Sequence, residues 1–586
     1  MENKLERRYG LFTAICMVVG IVIGSGVFFK AQDILNRTEG NILYGILSWL
    51  IGGAVMIICA FTFSIMATRY RKVNGLVDYA EATCGKWYAY MVGWFASTIY
   101  YPAMTSVLAW VSARYTLVLF NPDADITSGL CIALGAFYLC MSYAINALSP
   151  KIAGYFQVSS TIIKLIPLAV MIIVGTIVGL VNGQTVDAFK QASDSIIGGN
   201  GGFGSVFAGV AAAAFAYEGW IIATSVNAEL KNSKRNLPIA LVAGTLIIMV
   251  FYILYFIGLT GGASVDTLRS SGAPTAFLNL FGKFGGTILN VCIVVSCLGT
   301  LNGLMLGSVR SFYSIAVRDC GPEPEVLSEV DTRTNMPSNS GIVALLVCGF
   351  WFFYFYAANL TAPVFGLFSF DSSELPIITI YGMYIPIFIM FIAKRVKGDG
   401  GIFKTVAMPA LAIVASIFMM FVAVYAHGVV PNQQAAHNYL STEKGEVVEY
   451  VAGVEVTKDV INYSLGDKAT TEFVYDKENK VVHTTVDDLY CEYNVVENED
   501  GTFALTVPGK NSKDLPAQLY VTGDLTTSEN AEDAAKIEME AVGNGNVYLN
   551  VNSSFSFPVL FYLIVFLVIM VIGALLYNSK KKKASK

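Results

Sequence analysis

Stretches of about twenty apolar residues recur from one end of the chain to the other, each long enough to cross a ~30 Å hydrocarbon core as a helix. They lie at 11–35, 41–67, 84–119, 127–147, 155–181, 203–228, 239–260, 285–317, 340–358, 374–395, 404–427 and 556–577. In lipid every backbone N–H and C=O must find its partner inside the chain. The expected fold is therefore an all-α membrane protein of twelve transmembrane helices, in which the third run is overlong for one span and the ninth is short. Composition agrees: 55% of the 586 residues are hydrophobic and 14% charged, against about 25% charged in a soluble chain.

Lys and Arg fall in alternate connections. One side holds Arg7 and Arg8, Arg69 to Lys72, Lys151, Lys231 to Arg235, Arg318, Lys394 to Lys397 and the tail "KKKKASK"; the other holds mainly Arg37, Lys190, Arg269 and Lys283. By the positive-inside rule both termini are cytoplasmic, as an even span count requires, in a multi-pass protein of the cell membrane. The basic start "MENKLERRYG" leads into a first helix without a small-residue cleavage site.

Residues 430–554 break the pattern. They carry 22 Asp and Glu against 8 Lys, a net of −14, while the whole chain carries −5. Runs such as "TEFVYD", "LYCEYNVV" and "TFALTV" alternate in strand fashion, with turn signals at Asp500-Gly501 and Gly543-Asn544-Gly545. Three parts are expected: a transmembrane core over 1–429 (helices 1–11), a small β-rich acidic extracellular domain over 430–554, and helix 12 with a basic cytoplasmic tail over 555–586.

Of ten cysteines nine lie in or beside spans, and Cys491 is alone in the outer domain, so no internal disulfide can staple it. With three histidines and no Cys pair at ligand spacing, no metal site is expected, and no cofactor. Nothing suggests a nucleic-acid partner. One His and one Cys in a strand-rich insert offer little for catalysis; the chain does not read as an enzyme.

Gly24-Ser25-Gly26 falls in the middle of the first span. Gly20 and Gly24 form a GxxxG, and close helix packing is one reading. The other is an unwound point, where one half-helix offers amides and the other carbonyls. A bound amino acid would satisfy both, its carboxylate taking the amides and its ammonium the carbonyls. The sixth span offers a second interruption at Glu218-Gly219, where a carboxylate costs about 2.5–3.5 kcal/mol on insertion scales and must face a cavity or a partner. Lys164 lies too deep in the fifth span to snorkel easily: it is a buried base that can lose its proton, a fixed cation in place of a metal ion, or a cap on a helix-end carbonyl. Interrupted first and sixth spans suggest, without showing it, an inverted repeat around a midplane site.

Four stretches carry a resemblance. "GIVIGSGVFF" resembles the first-helix motif of the amino acid–polyamine–organocation (APC) superfamily. "FAYEGWIIATSVNAELKNSKRNLPIAL", "SCLGTLNGLMLGSVRSFYSIAVRD" and "FDSSELPIITIYGMYIPIF" look like helices six, eight and ten of its L-amino-acid transporter and serine/threonine exchanger branch. The resemblance covers residues 10–427 and the last span. It implies a LeuT-like 5+5 inverted repeat with broken helices 1 and 6, two further helices, and secondary amino acid transport by alternating access. It implies a carboxylate site at the amides of Gly24, Ser25 and Gly26, and an ammonium site at the carbonyls of Val22, Ile23, Phe215, Ala216 and Glu218. Phe215 matches an aromatic that closes over substrate. Lys164 matches a fifth-helix lysine that stands where sodium-coupled relatives hold an ion, and Ser296 and Thr300 border that position.

This sequence departs from the family at four places. Glu218 stands where an uncharged residue is frequent. The Pro-x-x-Gly-Gly before the third helix reads "YRKVNGLVDY". Ser233 replaces a common Pro. The loop "FNPDAD" lacks the Cys that joins a heavy chain in some members, so no disulfide-linked heavy chain is expected. The expected function is an amino acid exchanger or proton-coupled symporter, with a cationic amino acid or polyamine transporter as the alternative, and a non-transporting amino acid sensor as a further one. The expected partners are a small-molecule amino acid, protons as candidate coupling ion, and membrane lipid.

Overall fold

The computed structural model describes residues 9–24, 26–70, 75–120, 128–197, 203–222, 224, 230–358, 365, 368–370, 372–394, 401–428 and 557–577, with strand segments between 448 and 541. The chain divides into two compact units, Met1–Ala426 with Phe557–Lys586, and His427–Ser556.

The first unit is helical. Its elements are α1 Leu11–Val22, α2 Gly26–Arg37, α3 Ile42–Arg69, α4 Gly75–Cys84, α5 Lys86–Phe95, α6 Tyr101–Phe120, α7 Gly129–Leu148, α8 Pro150–Val170, α9 Thr176–Val181 and α10 Gln184–Ile197. There follow α11 Phe203–Tyr217, α12 Ser233–Leu259, α13 Val265–Ser271, α14 Ala273–Ala316, α15 Pro324–Leu327, α16 Ser338–Ala358, α17 Leu375–Ala393, α18 Met408–Gly428 and α19 Phe557–Leu576. Among the described residues ten helices are long and apolar enough to cross a membrane, or eleven if α1 and α2 form one bent span. The chain is a multi-pass membrane protein.

Local chemistry sets the helix ends. Asn41 caps α3 by accepting from the Tyr44 amide at 3.0 Å, and Ser149 caps α8 by accepting from Ile152, with Pro150 at the first helical position. The overlong third run is one uninterrupted helical stretch over residues 86–120, preceded by a separate helix. Gly85, at φ 93°, separates α4 from α5, and α5 continues through a π turn, Ala96–Tyr100, into α6. The ninth run is a helix of ordinary length, 21 residues over Ser338–Ala358. The eighth begins within α14, which breaks at Gly282 (φ 67°). Four of the described helices fall where no span was expected: α4, α10 and the short α13 and α15.

The closest packing in the unit is glycine on glycine. Pro167 removes an amide donor from α8, and a π turn, Met171–Gly175, follows. The end of α12 lies against that turn: a Cβ at Gly258 would stand 2.5 Å from the Met171 carbonyl oxygen, and one at Gly261 1.8 Å from that of Gly175. Only glycine permits this backbone contact.

In the second unit the described residues are strands. A six-stranded sheet, all pairs antiparallel, has the spatial order Glu540–Ala541, Leu519–Thr522, Thr502–Thr506, Leu489–Glu497, Val481–Val486 and Val474–Asp476. Val482 lies opposite Tyr493, and Thr484 opposite Cys491.

Candidate functional site

The first span is interrupted where the sequence places Gly24-Ser25-Gly26. Ile23 leaves the helical region at φ −70°, ψ 95°, α2 starts at Gly26, and the two helix axes differ by 49°. Ser25 lies outside the described residues. The last carbonyls of α1 have no amide partners of their own. The sixth run is helical only to Tyr217; the Glu218 amide then donates to the Phe215 carbonyl at 3.2 Å, and Gly219 takes φ 100°. Residues 225–229 lie outside the described residues.

The two interruptions touch. A Cβ on Gly26 would come 3.0 Å from the Ala216 Cα, and one on Gly219 2.9 Å from the Ile21 side chain. Between them lies a pocket with about 330 Å³ of empty space. Val22, Gly24, Gly26, Phe215, Ala216, Glu218 and Thr300 line it, bringing seven of the sequence-derived residues together. The remaining walls come from Met104 and Leu108 on α6, from Leu304 on α14, and from Ile21 and Gly219. The α6 pair sits one turn apart on a helix without interruption, and nothing in its sequence marks it.

Glu218 is 5% exposed and accepts a 2.7 Å hydrogen bond from the Tyr100 hydroxyl. No cationic side chain among the described residues lies within ion-pair distance of it. Tyr217 turns away from the pocket and donates to the Trp49 carbonyl at 2.9 Å.

The carbonyls of the expected ammonium site already have donors from this chain. The Lys164 ammonium, fully buried, donates to Gly20 O at 2.6 Å, Ile23 O at 2.5 Å and Thr300 Oγ1 at 3.1 Å. Tyr252 of α12, which sequence reasoning missed, donates both to Val22 O at 3.2 Å and to Ala216 O at 3.0 Å. One hydroxyl thus bridges the two interrupted helices. A carbonyl has two lone pairs, so Tyr252 leaves a second acceptor site on Val22 O and on Ala216 O, whereas Ile23 O accepts from both Lys164 and Thr300. Ile23, Lys164 and Ser296 stand behind the pocket wall rather than on it. Ser296 is fully buried, and its hydroxyl has no hydrogen-bond partner among the described residues.

On the α2 side of the pocket lies a buried charge cluster. Lys30 pairs with Glu374, at the start of α17, and with Asp33 at 3.0 Å; Arg37 pairs with Asp33 at 2.9 Å. The Lys30 ammonium sits 5.3 Å from the centre of the Phe215 ring, a cation–π contact with a pocket residue. At the far end of α14, Arg318 pairs with Asp78 and, at 2.8 Å, with Glu81, both on α4.

A pocket where the break between α1 and α2 meets the end of α11, inside a bundle of membrane-length helices, is the arrangement of a membrane carrier. The sequence pattern of the amino acid permease family matches residues 9–443. The serine/threonine exchanger SteT of Bacillus subtilis is 30% identical over 428 residues, which are 72% of this chain and 91% of SteT. The b(0,+)-type amino acid transporter 1 of Oryctolagus cuniculus is 26% identical over 352 residues, 59% of this chain and 70% of that protein. Among solved structures, MhsT in complex with L-phenylalanine shares 15% identity and a TM-score of 0.49, over 72% of this chain and 99% of that one. The chain belongs to the amino acid permease family, and it is a secondary transporter. The family read from four motifs is the one these comparisons give.

Proposed function

We propose that the protein carries amino acids across the cell membrane by alternating access, as an exchanger or proton-coupled symporter, at the pocket between the α1–α2 interruption and the end of α11. The observation that carries this reading is the convergence of Val22, Gly24, Gly26, Phe215, Ala216 and Glu218 on one pocket. In this reading the start of α2, a helix N-terminus, receives the substrate carboxylate with Ser25. The remaining acceptor sites of the Val22, Phe215, Ala216 and Glu218 carbonyls receive the ammonium, while Ile23 O, expected with them from the sequence, is taken by Lys164 and Thr300. Phe215 closes over both. Lys164 takes the place of a coupling metal ion, with Thr300 and Ser296 beside it.

The same reading has twelve spans in a LeuT-like inverted repeat, both termini in the cytoplasm, no cofactor or metal, and no disulfide-linked heavy chain. Residues 430–554 form a β-rich extracellular module. With a net charge of −14 it attracts cationic solutes only at low salt, since fields between exposed charges fade beyond ~8 Å at physiological ionic strength. Replacing 430–554 by a short Gly/Ser linker should leave insertion and substrate selectivity intact. A correctly inserted truncation without transport would make the module part of the pathway.

A second reading is favoured by Glu218. A buried pocket carboxylate with a neutral hydroxyl as its donor has room for a cationic side chain, so a basic amino acid or polyamine is the alternative substrate. Counterflow in proteoliposomes, with the twenty amino acids and putrescine as competitors, separates these. Amino acids should exchange and putrescine should compete poorly. Equal competition by putrescine moves the reading to polyamines, and absence of any counterflow leaves the sensor.

A further inference from the structure

A file of buried polar groups leads away from Lys164, and the substrate pocket does not use it. On α8, Gln157, Thr161 and Lys164 share one face at spacings of four and three. Facing them are Thr300 and Asn302 on α14, and Asn146 on α7; Gln157, Asn302 and Asn146 are each at most 2% exposed. The three carboxamides bond in series. Asn146 donates to the Asn302 side-chain oxygen at 3.0 Å, and Asn302 donates to the Gln157 side-chain oxygen at 3.2 Å. Thr161 donates to Cys16 O at 3.1 Å and to Gln157 O at 2.6 Å.

The ladder is incomplete at both ends. The Gln157 amide nitrogen and the Asn146 amide oxygen are buried with no hydrogen-bond partner among the described residues. Turning all three amides over moves the defect to the opposite atoms without removing it. Buried polar groups in folded proteins are otherwise satisfied by protein or by ordered water. The backbone of two neighbouring helices comes close to Gln157. Gly20 of α1 and Gly303 of α14 both face it, and a Cβ at these sites would stand 2.7 Å and 3.3 Å from its amide atoms.

We propose that Asn146, Asn302 and Gln157 line a hydrated track through which Lys164 exchanges its proton with the side of the membrane on which α8 begins. The inference rests on the reading of Lys164 as a proton-linked group. The step balances with water alone: an N–H bond of the Lys164 ammonium breaks, the electron pair stays on nitrogen, and the proton passes to the nearest water as hydronium; the return reverses it. From Lys164 to Gln157 the track spans about 10 Å of α8, seven residues at ~1.5 Å each.

The groups facing Lys164 suit such an exchange. Cys297 is the titratable group beside it from α14, and Cys16 faces the same helix from α1. Tyr252 of α12 spends its hydroxyl on Val22 and Ala216. On α7, Tyr143 lies against Gly341, away from the track. Among the described residues no Asp or Glu pairs with Lys164, so no carboxylate competes for its proton.

The test uses the full-length protein in proteoliposomes with a pH-sensitive dye inside. Substrate-driven proton flux is read in the wild type and in Gln157→Met, Asn302→Leu and Asn146→Leu. Counterflow, which needs no net proton movement, reports folding and substrate binding in the same vesicles. The expected result is proton flux reduced about tenfold, the factor of ~1.4 kcal/mol in a barrier, with counterflow within about twofold of wild type. Wild-type flux retained in variants that still exchange overturns the track. If the wild type moves no protons with substrate, the proton-linked reading of Lys164 falls, and the track with it. If one Leu variant loses counterflow through misfolding, the variants at the other positions decide, since the three lie on three different helices.

Discussion

The ammonium nitrogen of Lys164 lies 2.5 Å from the carbonyl oxygen of Ile23, so a side chain of α8 closes the open end of α1. It reaches Gly20 O and Thr300 Oγ1 as well, and Thr300 in turn donates to Gly20 O and Ile23 O. The orphan carbonyls of an interrupted membrane helix thus have donors built into the chain.

In the proposed reading the Lys164 ammonium takes the place of a coupling metal ion at that end. Uptake is expected to be unchanged when sodium is replaced by choline, and a sodium requirement would falsify this. Lys164→Ala leaves Gly20 O and Ile23 O to share the single Thr300 hydroxyl proton, at about 1–3 kcal/mol for the carbonyl that goes without. Its uptake should fall at least tenfold and its melting temperature in detergent should drop. In Lys164→Arg, which keeps a cation that stays charged, the stability should largely return while any pH dependence of transport does not.

Gly26 marks where α2 meets α11. A Cβ there already stands 3.0 Å from the Ala216 Cα and 3.2 Å from its Cβ. Gly26→Ala should lower uptake, with an overpacking cost of ~1–3 kcal/mol, and Gly26→Leu should abolish it while the protein still reaches the membrane. Surface labelling beside uptake checks both halves; normal uptake by Gly26→Leu removes the pocket assignment.

Tyr252→Phe deletes the hydroxyl shared by Val22 O and Ala216 O and keeps the ring. Buried carbonyls left without that donor cost about 1–3 kcal/mol. If the hydroxyl holds the two interruptions in register, KM should rise more than kcat falls. An unchanged KM with lowered thermal stability would assign it to folding alone.

Breaking a buried ion pair by removing one partner costs roughly 3–5 kcal/mol, whereas replacing both by apolar groups is often neutral. Glu374→Gln and Lys30→Met should each destabilise the protein strongly. The double variant Lys30→Met with Glu374→Leu should recover much of the loss, measured as thermal unfolding in detergent. Additive losses would show that the two residues do not act as a pair.

The spans were legible because a lipid environment forces the helix and its length is fixed by bilayer thickness. The interruptions were legible too, since Gly24-Ser25-Gly26 and Glu218-Gly219 are anomalies inside apolar runs. What could not be read were the partners. Tyr252 is one of many tyrosines on a regular helix, and only the approach of α12 to both interruptions gives its hydroxyl two acceptors. Met104 and Leu108 look like any lipid-facing pair until α6 packs on α14. The overlong third run misled for a related reason: its π turn adds residues without ending the helix. The expected ammonium site was drawn with vacant carbonyls, because the sequence alone does not show that Lys164 and Tyr252 reach them.

The cluster around Lys30 also bears on how the chain is made. Glu374 lies 344 residues after Lys30, an interval of roughly 17–70 s at ordinary synthesis rates. Through that interval Lys30 and Arg37 have Asp33, three residues from one and four from the other, as an acid on their own helix. The first span therefore enters the bilayer with part of its charge already balanced, and the acid at the start of α17 completes the set only when that helix arrives. A nascent chain arrested before residue 374 should accordingly hold its first helix in place but remain looser there than the finished protein.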